Sequence, residues 1–238
     1  MQQLLHNKRF IMKGGKDMPP KPKFDKEEIL NAAFDIARKN GIDAVKARDV
    51  GDALGCSSRP IFTFFIGMED LNKCIAEKAR LLFEEYLSVA DEYVPAFKMR
   101  GMQMIKFAQD EPHLFRLLFM SDGEETPFGE LMRQRIRNFA SDIAFIEMNY
   151  HIGYDEAEKL FNAVWLQAYG ICSMIVNDRC RFTEQEIAGF LGSCFAGQLF
   201  LLRNNGSEYT QYLPVRKNSK EAKERSEKLP NSEFRIPN

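Results

Sequence analysis

The chain has no run of apolar residues approaching the roughly 20 that a membrane-spanning helix requires. Nor is there an apolar core of signal-peptide length behind the basic residues Lys8, Arg9, Lys13 and Lys16. Export and membrane insertion are not expected, and the expected location is cytoplasmic. Glycine-rich phosphate loops, His-x-x-x-His and Cys-x-x-Cys pairs and a Gly-x-Ser-x-Gly elbow are all missing, which removes the common routes to phosphoryl, metal and serine chemistry. The three histidines, His6, His113 and His151, lie in unlike surroundings. The expectation is a protein that is not an enzyme, with no catalytic residue, metal ligand or cofactor. Cys56, Cys74, Cys172, Cys180 and Cys194 are odd in number and far apart, as reduced, mostly buried thiols are.

Net charge is almost lacking too, at −1, but it is unevenly spread. Four basic residues against Asp17 leave +3 on residues 1–17, and nine positive side chains balance nine negative over 18–75. Residues 205–238 carry +2, so the middle, 76–204, holds −6. A neutral-to-basic start beside an acidic body suits a nucleic-acid reader joined to a separate domain.

What the chain does have is helical patterning throughout, organised around Lys46–Leu71. Val50, Ala53, Leu54, Ile61, Phe62 and Phe65 are expected on the inner faces of two short helices broken at Gly55. The second is expected to open at Ser57 as its cap, with Pro60 tolerated in the first turn. That arrangement leaves Ser58, Arg59 and Thr63 outward, and two helices across a glycine turn form the helix-turn-helix unit whose second helix enters the DNA major groove. The helix before it is signposted by Asp25 and Glu28 as a capping box, Phe24 and Ile29 as a staple, and Asn40-Gly41 as the stop.

These residues resemble the TetR family of bacterial transcriptional regulators. The resemblance rests on the helix beginning at Asp25, on Gly41, Arg48-Asp49-Val50, Gly55-Cys56-Ser57, Ile61-Phe62, Phe65 and Leu71, and covers residues 23–83. It implies an all-α chain with an N-terminal three-helix DNA-binding domain and a C-terminal helical domain for ligand binding and dimerisation. DNA contacts would come from Lys46, Arg48, Ser57, Ser58, Arg59, Thr63 and Phe64, with Lys21 and Lys23 as a basic arm. Arg59 at the head of the reading helix suits bidentate contact with guanine. Three positions depart from the family. Phe62 replaces a Tyr and Phe64 a His or Tyr that reach phosphates, and Met68 replaces a Lys. Lost phosphate contacts lower affinity and flatten its salt dependence. Met18-Pro-Pro-Lys-Pro-Lys resembles the usual start of family members, which makes residues 1–17 an upstream extension.

Beyond residue 83 the pattern gives helices over Glu69–Ala90, Met99–Ala108, Phe128–Glu147, Tyr154–Val176 and Thr183–Arg203, with a loop at Ser121–Pro127. Thr183 and Glu186 form a second capping box. The last helix carries two small-residue stripes, Ala188/Gly192/Ala196 and Gly189/Ser193/Gly197. Its helical glycines cost about 1 kcal/mol each relative to alanine, which close helix approach would offset. The resemblance implies a homodimer through this face, with Gly189, Gly192, Ser193, Ala196 and Gly197 in contact. The Val164–Ile171 run looks like a W-x-x-x-H-G signature with Tyr169 in place of His. An effector site is expected among Phe107, His113, Phe115, Met120, Phe145, Met148, Trp165 and Tyr169, for an uncharged, hydrophobic small molecule.

The expected organisation is therefore a flexible extension over 1–22, a DNA-binding domain over 23–83, a ligand-binding and dimerisation domain over 84–204 and a disordered tail over 205–238. The expected function is a ligand-released repressor that binds a palindromic operator on double-stranded DNA as a dimer. The alternatives are a protein-interaction module with a degenerate reading head, or a helical ligand-binding protein.

Overall fold

Helices begin where the sequence places their caps. In the computed structural model, which describes residues 24–93, 96–120, 130 and 139–205, every regular element among the described residues is helical. The expected extension and tail, the Ser121–Pro127 loop and half of the Phe128–Glu147 helix lie outside the described residues. α1 spans Lys26–Asn40, and its capping box forms as expected: the Glu28 N–H donates to Asp25 Oδ1 at 2.8 Å and the Asp25 N–H to Glu28 Oε2 at 2.9 Å. It ends at Gly41, whose φ of +87° is one that L side chains rarely adopt. α2 (Ala47–Ala53), α3 (Ile61–Phe64) and α4 (Met68–Ser88) follow, then α5 (Ala96–Asp110) and α6 (Pro112–Phe119). Proline at the first position of α6 costs no intrahelical bond, which lets that helix begin two residues after α5 stops. α7 (Phe139–Tyr150), α8 (Tyr154–Val176) and α9 (Glu184–Asn205) complete the described set. Thr183 and Glu186 cap α9 reciprocally.

The chain divides into two compact units. The first takes residues through Glu85 and then Glu111–Ser121; the second takes Tyr86–Asp110 and everything after Asp122. α6 is thus a late addition to the first unit. Leu114 and Phe115 are fully buried, and Phe119 meets Phe83 edge-on at 5.1 Å and Phe115 at 4.7 Å. Glu111, 3% exposed, takes Arg38 of α1 in a two-point ion pair, with Nε donating to Oε2 at 2.7 Å and Nη2 to Oε1. Ile29, Ala33, Val50, Ile61, Phe65, Leu71 and Ile75 make the rest of this core. Each large side chain so buried contributes about 1.5–3 kcal/mol relative to exposure.

In the second unit α5 packs on α8, and α8 on both α7 and α9. Ile105, Phe107, Ile143, Ile146, Leu160 and Cys172 are fully buried there. Burial also pushes the Cys172 thiol well above its ordinary value. Beside this core lies an ionic network in which Arg100 donates to Asp91 at 2.6 Å and to the buried Asp142. Burial outweighs Arg100 at Asp142 and raises its carboxyl above the usual range.

One expectation is overturned in composition alone. Glu184–Asn204 is long and apolar enough to cross a membrane, with mean hydropathy 1.2 over its best window. One face of this helix buries Ile187, Leu191, Phe195 and Leu202 within the unit. Its exposed side carries Gly189, Ser193 and Gly197 together with the large apolar Phe190 and Phe200.

Candidate functional site

The first unit presents a compact α2–turn–α3 hairpin built on two glycines. Gly55, at φ +63°, supplies the left-handed residue the turn needs. Gly51 does something different. A Cβ there would stand 2.9 Å from the Cys56 carbonyl oxygen and 3.0 Å from backbone atoms of Ser57 and Ser58. The turn folds directly onto the helix at that point, held by the Cys56 N–H donating to the Gly51 carbonyl at 2.9 Å. Sequence reasoning passed over Gly51, although a glycine inside a short apolar helix is the kind of signal that marks a close backbone approach.

The expected start of α3 is corrected. Ser57 caps nothing and the helix opens at Ile61, after a turn in which the Ile61 N–H donates to the Ser58 carbonyl at 3.2 Å. Pro60 is the cause: its ring disfavours helical backbone at the residue before it, so Arg59 belongs to the turn and not to the helix. Ile61 and Phe65 take the two inward positions, 1% and 2% exposed. Phe62, expected inside, is 52% exposed, whereas Phe64 is half-buried. Ala53 also faces solvent and Leu54 is half-buried.

The exposed side chains of the hairpin are Lys46, Arg48, Asp49, Asp52, Ala53, Ser57, Arg59, Phe62, Thr63 and, just beyond α3, Ile66 at 98% exposure. Ser58 is half-buried. Lys46 occupies the cap position of α2 and makes no side-chain cap bond, as its lack of an acceptor dictates. Arg48 reaches only Asp52, at 3.7 Å across an exposed helix turn, a contact of small energetic weight. Cations and hydroxyls therefore share this surface with two carboxylates, Asp49 and Asp52, and two large apolar side chains. Lys21 and Lys23 lie outside the described residues.

The residues expected to line an effector site are divided between the two units. His113, Phe115 and Met120 belong to the first unit, with the His113 ring next to Gly41. Phe107 is sealed in the second unit's core against Tyr86, ring centroids 5.3 Å apart. Trp165 and Tyr169, one helical turn apart on α8, stack on each other at 5.3 Å. Phe145 is half-buried and Met148 is 73% exposed. What the second unit holds instead is a groove of about 260 Å³ between α5, α8 and α9, walled by Met99, Met102, Val164, Leu191 and Phe195. Pattern reading missed it because its polar member, Lys98, sits on an otherwise ordinary amphipathic helix.

The five small residues of α9 are all exposed. Nothing lies within 4 Å of a Cβ built at Gly189, Gly192 or Gly197. Phe190 and Phe200 on the same helix and Leu166 and Met174 on α8 are exposed as well. Together they give the second unit a broad apolar face with small residues along α9.

No family model matches the chain, and no curated protein matches it.

Proposed function

We propose that this chain is a sequence-specific, DNA-binding transcriptional regulator of the TetR type, acting as a homodimer in the cytoplasm. The observation that carries the reading is the α2–turn–α3 hairpin. Gly51 lets the turn close on the helix, and Lys46, Arg48, Arg59 and Thr63 surround it, all exposed. Helix-turn-helix units set their second helix in the major groove while flanking cations meet phosphates. Arg59, in the turn just before α3, is placed to reach guanine O6 and N7.

Dimerisation follows from the outer face of α8 and α9. Small residues along α9 permit a twin helix to approach closely, and Phe190, Phe200, Leu166 and Met174 supply apolar area that a single chain leaves in water. Two heads held by such a dimer read half-sites about one DNA turn, or a multiple of it, apart. Repression ends when a ligand of the second unit favours head spacings that no longer match the operator.

A specific observation favours a second reading, that the head binds protein. Phe62 and Ile66 expose large apolar surface where a phosphate-gripping face carries hydroxyls and amines. One experiment separates the two. Genomic fragments selected on the purified protein are titrated by fluorescence anisotropy at several salt concentrations, against a scrambled duplex. Arg59→Ala is expected to weaken selected-site binding by roughly 5- to 150-fold, the value of one bidentate base contact. Equal binding to selected and scrambled DNA at every salt concentration would falsify the regulator reading.

A further inference from the structure

Two cations of the second unit are paired with carboxylates: Lys106 with Asp110, and Arg100 with Asp91 and Asp142. Lys98 is different. Its ammonium sits 4.0 Å from the centre of the Phe195 ring and 5.9 Å from that of Tyr150, with no carboxylate within ion-pair range among the described residues. A ring face attracts a cation but does not neutralise it. Lys98 is an exposed residue, and the packing of its amine end against these rings holds the amine below its ordinary value.

The same residue stands at the mouth of the groove between α5, α8 and α9. A second hollow shares Lys98, Gly192 and Phe195 and continues along α9 to Arg203. Arg203 donates to the Tyr150 carbonyl at 2.8 Å, which leaves its fixed charge beside this hollow. The walls of the groove away from these cations are apolar, and two of them, Met99 and Met102, are flexible thioethers that adapt to the shape of what they cover. At about 260 Å³ the space falls just under the range of drug-sized sites and suits a short alkyl chain or a single ring.

We propose that this groove binds a small amphipathic carboxylate, its apolar tail among Met99, Met102, Val164 and Leu191 and its carboxylate on Lys98. The ligand class departs from the uncharged molecule the composition suggested. A neutral apolar ligand would fill the walls and leave the ammonium without a counter-ion; a carboxylate satisfies both. The site does not depend on the head reading DNA, since ligand binding is measured on the chain alone.

The test is isothermal titration calorimetry of the full chain with octanoate, 1-octanol and octylammonium. Octanoate is expected to bind saturably at one site per chain, at least tenfold more tightly than octanol, with octylammonium weakest. Lys98→Met keeps the aliphatic stem and removes the charge. It is expected to lower octanoate affinity at least tenfold and leave octanol affinity unchanged, while Lys98→Arg retains most octanoate binding. Filling the groove by Met102→Trp removes binding of all probes. Octanoate and octanol binding equally well, indifference of octanoate to Lys98→Met, or no saturable octanoate binding would each overturn the proposal. DNA binding by the same samples is scored separately, so loss of this site and loss of the regulator reading cannot be mistaken for one another.

Discussion

Replacing Gly51 by alanine sets two known effects against each other. Inside a helix alanine is ordinarily better than glycine by about 1 kcal/mol. Here the new Cβ would meet the Cys56 carbonyl oxygen at 2.9 Å and backbone atoms of Ser57 and Ser58 at 3.0 Å. These are main-chain atoms, so no rotamer change relieves them, and the Cys56–Gly51 hydrogen bond holds the turn in place. Overpacking of this kind costs about 1–3 kcal/mol. Main-chain neighbours that cannot move aside put the cost in the upper part of that range, about 2–3 kcal/mol, so the clash wins with a net loss of roughly 1–2 kcal/mol, or about 2–8 °C in Tm for a chain of this size. Because the chain has two units, a single melting curve mixes their transitions. Hydrogen-exchange mass spectrometry reads the head by itself: peptides covering residues 47–65 should lose protection while peptides from α8 keep theirs. A Gly51→Ala chain as stable as the parent, with unchanged protection over 47–65, would refute the close approach on which the hairpin reading rests.

A Cβ at Gly197 meets nothing within 4 Å among the described residues outside its own helical turn, so Gly197→Arg should keep its circular dichroism. In light scattering it should become monomeric; a parent already monomeric at micromolar concentration sinks the dimer. Asp142 binds its proton more tightly folded than unfolded, because burial raises its carboxyl above 3.8. Its stabilising contribution is therefore complete below that value and is lost as pH climbs through the folded one. Asp142→Asn should flatten the fall in Tm over that window, and parallel pH profiles for the two proteins would contradict the assignment. On the head, exposed Phe62 and Ile66 suit thymine methyl groups. Uracil for thymine in a selected operator should weaken binding by about fourfold per methyl touched, at about 0.8 kcal/mol each. Phe62→Ala with Ile66→Ala should remove that difference, and equal affinity for both duplexes in the parent would dismiss the contact.

Local chemistry was legible wherever it acts alone. Asp25 with Glu28, Thr183 with Glu186, and the whole Tyr154–Val176 helix fall where their caps and periodicity put them. The start of α3 was misread because Ser57 is a good cap in isolation, and the veto of Pro60 over its predecessor outranked it. Phe62 was misplaced because Ile61 and Phe65, one turn apart, already fill the inward side of so short a helix, which leaves Phe62 about 100° away from it. Two features depend on long-range contacts that no pattern in the chain announces. Nothing in Pro112–Phe119 says that this helix joins a core built from residues 29–83. Nothing near Lys98 says that Phe195 and Tyr150, about a hundred and about fifty residues on, will sit over its ammonium while no acid does.

The return of Glu111–Ser121 to the first unit bears on how the protein is made. A ribosome delivers α1 to α4 first, then the 25 residues of Tyr86–Asp110, which belong to the other unit, before α6 appears. Until then Glu111 and Phe119, which meet Arg38 and Phe83 in the finished unit, are absent. Growing chains generally complete their N-terminal domain first; this one must hold its head unfinished through a second instalment. For the same reason a fragment ending at residue 85 is not a smaller version of the head but an incomplete one, and an excised head must carry α6 with it.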